Sequence, residues 1–227
     1  AGLISLQDYV DRMQADQEVI YYVTGESLEG IAKSPLLEAF RKRQLEVLYM
    51  AEPVDEWVVN TLQDIDGKKF QAIDAEDVAL EDDEATIEGA EATKDKERTI
   101  ELVSFLKKEL ENRVADVRES SRLTDSPCVL VTPKGGISQN LERLMRMSDQ
   151  EFSPTKRILE INPQHATLVN MGELLKKDRD SSQLKEWAQF LVDYVLLGEG
   201  SIEDPQRITD TIQKMMSAAS DHALSKA

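Results

Sequence analysis

The sequence predicts an α+β protein in two units: a small strand-helix-strand unit over residues 1–80 and a larger α+β domain over residues 81–227. Three observations carry this prediction. Before residue 74 a strand, a helix and a second strand follow one another. After residue 97 helices and neighbouring strands come without regular alternation. Between them, residues 74–97 hold eleven acidic side chains against Lys94 and Lys96, more than half of the net charge of -17. That stretch reads as a solvated connector or a poorly packed helical lead-in to the second unit.

The elements follow in order. The opening SLQDYVDRM is amphipathic. EVIYYVTGES is β-branched and aromatic, ends in a turn, and predicts a strand; SPLLEAFRKRQ predicts a helix, and LEVLYMAEP a second strand closed by Pro53. A connection of that length between two strands favours a parallel pair. The next helix has Pro53 near its first turn, carries Trp57, Val58, Thr61, Leu62 and Ile65, and is expected to run until Gly67 stops it. Beyond the acidic stretch, Ile100, Val103, Leu106 and Leu110 mark the apolar face of a long helix, and RVADVRES, PCVLVTP and TKRILEINP predict strands.

Two helices are expected to close the chain. In the first, after Ser181 and Ser182, the residues Leu184, Trp187, Ala188, Leu191, Val192, Val195 and Leu196 spread over more than one face. The second has Asp204 as N-cap, Pro205 as its first residue, and a stripe of Ile208, Ile212, Met215, Met216 and Ala219. No later segment covers that stripe, whereas a symmetry mate can. This predicts a homodimer with Leu191, Val195, Ile208, Ile212, Met215 and Met216 in its seam, two helices from each protomer forming an intermolecular four-helix bundle.

Composition narrows the function. A chain of 227 residues, 41% hydrophobic and 31% charged, can bury a core. Its acidity argues against nucleic acid and anionic membranes as partners, since both repel negative surfaces. A single cysteine, Cys128, cannot form an internal disulfide, and no signal peptide or long apolar span is visible, which suits a reducing cytoplasm. The opening on Ala1 rather than methionine suggests a fragment of something longer.

Catalytic motifs fail one by one. Gly25 and Gly30 are spaced like the glycines of a phosphate-binding loop, but Ile31 and Ala32 stand where its Lys and Ser/Thr belong. A small α/β nucleotide-binding or enzymatic domain built on that strand end is therefore the alternative reading rather than the favoured one. Asp64 and Asp66 before Gly67 lack the remaining ligands of a calcium loop and read as a helix stop and turn. His165 and His222 lie far apart and neither is spaced with Cys128 for zinc. Cys128, inside PCVLV, reads as an apolar strand residue with a raised thiol pKa. No catalytic, cofactor or metal residue is assigned.

One stretch stays open. In GGISQNLERLMRMSDQ, Ile137, Leu141, Leu144 and Met145 fall on one helical face, opposite Gln139, Glu142, Arg143 and Arg146. Such a stripe is usually core; taken alone it supports that reading.

Seven segments in order, YVDRMQADQEVIYYVTGES, EVLYMAEPVDEW, DGKKF, SRLTDSPCVLVT, NLERLMRM, LEINPQH and SIEDPQ, resemble the C-terminal third of the ninety-kilodalton heat-shock chaperones, most of all the bacterial ones. The likeness covers nearly the whole chain and weakens in the acidic segment and at the extreme C-terminus. It implies that Leu6 to about Ile73 is the small α/β/α subdomain ending the middle domain, followed by a C-terminal dimerisation domain. The parent's ATP and magnesium site would lie outside this chain, which would hold no cofactor and have no catalytic activity of its own. Family members bind unfolded or partly folded clients and work with other chaperones. The resemblance makes Leu141, Leu144 and Met145 client-facing positions, largely exposed in the free dimer, with Gly135 and Gly136 as a flexible tether. It puts Trp57 near the same cleft, either as a contact or as core beneath its helix. The ending ALSKA, without the EEVD-type tail of cytosolic eukaryotic relatives or a retention signal, is expected of a bacterial member.

Overall fold

The computed structural model describes residues 4–62, 64–78, 80, 90–147, 155–202 and 204–226. Much of the acidic stretch, residues 81–89, lies outside the described residues, and so does most of the segment following the Leu141 helix.

The first unit begins with α1 (Leu6–Arg12), closed at its start by a capping box in which Ser5 and Asp8 satisfy each other's backbone N–H. Then come β1 (Val19–Thr24), α2 (Leu28–Ala32), a 3-10 turn (Pro35–Leu37), α3 (Glu38–Lys42), β2 (Leu48–Met50), α4 (Asp55–Thr61), β3 (Asp64–Ile65) and β4 (Lys68–Ala72). β1 pairs parallel with β2 and β4, and β3 pairs antiparallel with β4, giving the order β2-β1-β4-β3. The parallel strand-helix-strand unit is as the sequence predicts. The helix expected to reach Gly67 is not: α4 ends at Thr61, and Ile65 belongs to a hairpin. Register Ile65 to Lys68 leaves Asp66 and Gly67 as a two-residue turn, both at positive φ (51° and 78°), the geometry that Asp-Gly favours.

The second unit has α5 (Ala90–Glu109), β5 (Asp116–Glu119), β6 (Cys128–Val131), α6 (Gln139–Met147), β7 (Ile158–Ile161), α7 (Ala166–Lys177), α8 (Ser182–Gly198) and α9 (Pro205–Lys226). β7 is central, parallel to β5 and antiparallel to β6, and both β6 and β7 are buried along their whole length. α5, α7 and α8 pack over the sheet, with Leu102, Leu106, Leu168, Met171, Leu184 and Leu191 in one core. Two expectations need correction. Ile100 is exposed, because the buried face of α5 runs through Thr99, Leu102 and Leu106. Three helices, not two, close the chain: α7 was missed, and His165 caps it, its Nδ1 accepting from Thr167 N–H at 3.2 Å.

The two units share a core. Val129, Val131 and Ile158 of the second sheet pack with Ile31, Leu37, Phe40 and Ile73 of the first unit. Thr132 and residues 74–76 exchange backbone hydrogen bonds (Glu76 N to Thr132 O 2.9 Å, Thr132 N to Asp74 O 2.7 Å). Arg122, 1% exposed, donates to the carbonyls of Ile73 and Ala75 and pairs with Glu160, which is 2% exposed and also accepts from Arg118 and Ser120. A buried pair held in this way, Arg122 by backbone carbonyls and Glu160 by further side chains, fixes orientation rather than adding much net stability.

Candidate interaction surface

α4 is inside out. Its fully buried residue is acidic, Glu56, while Val54, Trp57 and Val58 are exposed, Trp57 at 69%. Only Val59 packs toward the neighbouring cluster around Tyr9 and Ile20. A surface helix normally does the reverse, burying its apolar stripe and showing its charges. Trp57 is therefore not core.

Glu56 points toward α6. Its Oε1 accepts from Ser138 Oγ at 2.9 Å and from Asn140 Nδ2 at 3.0 Å. Ser138 is at the same time the cap of α6, its Oγ accepting from Leu141 N–H at 3.1 Å. The fold thus sets the exposed Trp57 helix beside the start of the helix carrying Leu141, Leu144 and Met145. Those three side chains, expected to be largely exposed in the free dimer, are half-buried in the single chain; Met147, at the end of the same helix, is 75% exposed. The Gly-Gly pair is no loose tether. Gly136 N–H donates to Pro133 O at 2.8 Å, closing a tight turn with Gly135 at φ 77°, and a Cβ on Gly136 would meet that same carbonyl oxygen at 2.9 Å.

Behind α6 lies a cleft of about 600 Å³, lined by Gly25, Glu26, Asn140, Arg143, Arg157 and Tyr194 among others. Its charged groups pair mostly with one another: Arg157 forks onto Glu199 (2.9 and 2.7 Å), and Arg143 meets Asn140 and Glu26. Asp74 remains partly accessible from the cleft, yet surrounding protein pushes its carboxyl pKa up against the opposing hydrogen bond from Thr132. The Gly25 strand end makes no phosphate cradle. Ser27 caps the five-residue α2 by accepting from Gly30 N–H, and Gly25 lacks a side chain because a Cβ would lie 2.7 Å from Ile31 Cγ1. Cys128 is fully buried, and burial pushes its thiol up to about 12. Among the described residues no three or more His, Cys, Asp or Glu side chains converge to hold a metal ion, and no helix is long and apolar enough to cross a membrane.

Leu191 and Val195 lie in this chain's own core, and Ile208 is 5% exposed on α9, which packs against α8. These three of the six residues assigned to the seam are thus already buried within the single chain. Further along α9 the apolar stripe is less covered: Ile212 is 38% and Met216 68% exposed, with Met215 half-buried. Asp193, 3% exposed, anchors it by pairing with both Arg207 of α9 and Arg113.

These features define an α+β chain with two small sheets that keeps apolar side chains at its surface. A family model described as Hsp90 protein matches residues 1–227, and the chain belongs to the Hsp90 family. It is 43% identical to the chaperone protein HtpG of Geobacter metallireducens over 94% of this chain and 33% of that protein. Against HtpG of Geobacter sulfurreducens it is 42% identical, over 96% and 34%, and against HtpG of Myxococcus xanthus 42%, over 91% and 32%. The chain thus spans about a third of the length of these relatives.

Proposed function

We propose that this chain is the dimerising and client-contacting portion of an ATP-dependent chaperone. ATP and magnesium are bound elsewhere in the parent, and the location is cytoplasmic. The observation that carries the reading is the inverted α4. Val54, Trp57 and Val58 are left in water at the cost of burying a carboxylate, and that carboxylate ties their helix to the start of the helix that carries the half-buried Leu141, Leu144 and Met145. An exposed aromatic on one helix and adaptable methionines on the helix bonded to it suit a surface that accepts many partly unfolded chains.

The test uses a permanently unfolded protein, reduced and carboxymethylated α-lactalbumin, as client. Trp57→Ala is expected to weaken its binding by roughly tenfold, the size of a modest hot spot, with melting little changed because the side chain is mostly exposed in the free chain. Unchanged binding would sink the contact. The second element of the proposal, a homodimer through α9, is supported by the bare Ile212 and Met216 side chains on a helix that its own domain holds at one end.

A further inference from the structure

We infer that Glu56 is a positioning residue, a latch that holds α4 and α6 together so that Trp57 and the Leu141, Leu144, Met145 stripe present one surface; the inference rests on the client-contact reading above. Three observations meet here. First, Glu56 is 3% exposed, and its partners at Oε1 are a hydroxyl and an amide, Ser138 at 2.9 Å and Asn140 at 3.0 Å. A buried carboxylate bonded in this way is costly to keep for stability alone, since an apolar residue in its place would serve the packing better. Second, both bonds cross from the first unit to the second, spanning 82 and 84 residues of sequence. Third, they grip the cap itself: Ser138 receives Leu141 N–H, while Asn140, 7% exposed, in turn accepts from Arg143 Nη2 at 2.9 Å. Glu56 therefore sets the position of the α6 start, and the residue next to it in α4 is Trp57. Losing the latch frees the two apolar groups to move independently, and a client that bridges them then gains less from holding both.

The test has two arms on the whole chain. Both bonds fall on Oε1, so Glu56→Gln keeps the acceptor and Glu56→Ala removes it. In hydrogen exchange, Glu56→Ala is expected to speed the amides of residues 139–147 by roughly tenfold or more, with β5, β6 and β7 unchanged, and Glu56→Gln to restore protection. Unchanged exchange in Glu56→Ala, failure of Glu56→Gln to rescue, or equal loss across the sheet would each overturn the latch. The second arm measures binding of carboxymethylated α-lactalbumin for Trp57→Ala, Leu144→Ser and both together. Their effects should be coupled in the native background and additive in Glu56→Ala. Coupling that persists in Glu56→Ala overturns the latch and leaves the client reading intact. If neither single change weakens binding, the client reading fails, and hydrogen exchange alone decides whether Glu56 is a latch.

Discussion

Glu38, on α3, reaches across to the loop before β6, where its carboxylate accepts from the backbone N–H of Thr124 at 2.7 Å, Asp125 at 2.8 Å and Ser126 at 3.1 Å. Burial alone would raise its pKa, but the bonds from Ser126, Asp125 and Thr124 outweigh it and hold the carboxyl below its ordinary value. A carboxyl depressed on folding contributes stability that is present above its unfolded value and lost as pH falls through its folded value. Glu38→Gln is therefore expected to lower the melting temperature at pH 7 by about 2–4 °C, with solvent screening of this half-buried group keeping the effect small. The gap to the native chain should close as the pH is taken below the carboxylate range. A gap that stays constant in acid would show that the charge contributes nothing. Cys128 makes the complementary point: the sequence around it predicts a raised thiol, and full burial between β6 and α8 supplies the cause, its Sγ lying 3.5 Å from Leu191 O.

At the level of elements, local chemistry decides more than pattern. The turn before α6 is shaped by Gly136, where a methyl group would press on the Pro133 carbonyl that its own N–H bonds. Gly136→Ala should destabilise the chain by about 1–3 kcal/mol in urea unfolding, since backbone rather than a movable side chain stands in the way. A loss of less than roughly 0.5 kcal/mol would show that the turn yields freely. The parallel strands β1 and β2, the strands β5 to β7 and the Asp204 cap, which accepts from Arg207 N–H at 3.1 Å, were all legible because short-range apolarity and capping residues define them. The hairpin of β3 and β4 was missed although Asp66-Gly67 signals it, because Ile65 fitted the helical spacing of Leu62 and Val58. α7 escaped because a histidine is an uncommon cap. The inversion of α4 could not be read at all: spacing tells that Trp57 and Val58 share a face, not which side that face takes, and the deciding bonds from Ser138 and Asn140 lie more than eighty residues away.

For the whole molecule, the question is what meets α9. The domain covers this 22-residue helix at Ile208 and ties it through Arg207 to the buried Asp193, which also binds Arg113. That anchorage fixes the direction in which the helix leaves the domain, while Ile212 and Met216 further along it stay in water. In the homodimer proposed above, a second copy related by a two-fold axis would present the same stripe in the opposite sense, and two helices from each protomer would close a four-helix bundle. Each Ile or Met side chain fully buried there contributes roughly 1.5–3 kcal/mol, so a few per protomer offset the entropy of association. The seam read from sequence included Ile208, but a charge at that buried position would also break the contact of α9 with α8, so Ile208→Glu cannot separate dimerisation from folding. Ile212→Glu with Met216→Glu can, because both side chains are exposed in the single chain and carboxylates are tolerated in water but not in an apolar seam. The double variant is expected to halve the mass measured by light scattering at micromolar concentration while the circular dichroism of the core stays native. A dimer that survives both charges would mean that α9 is not the surface through which two copies meet.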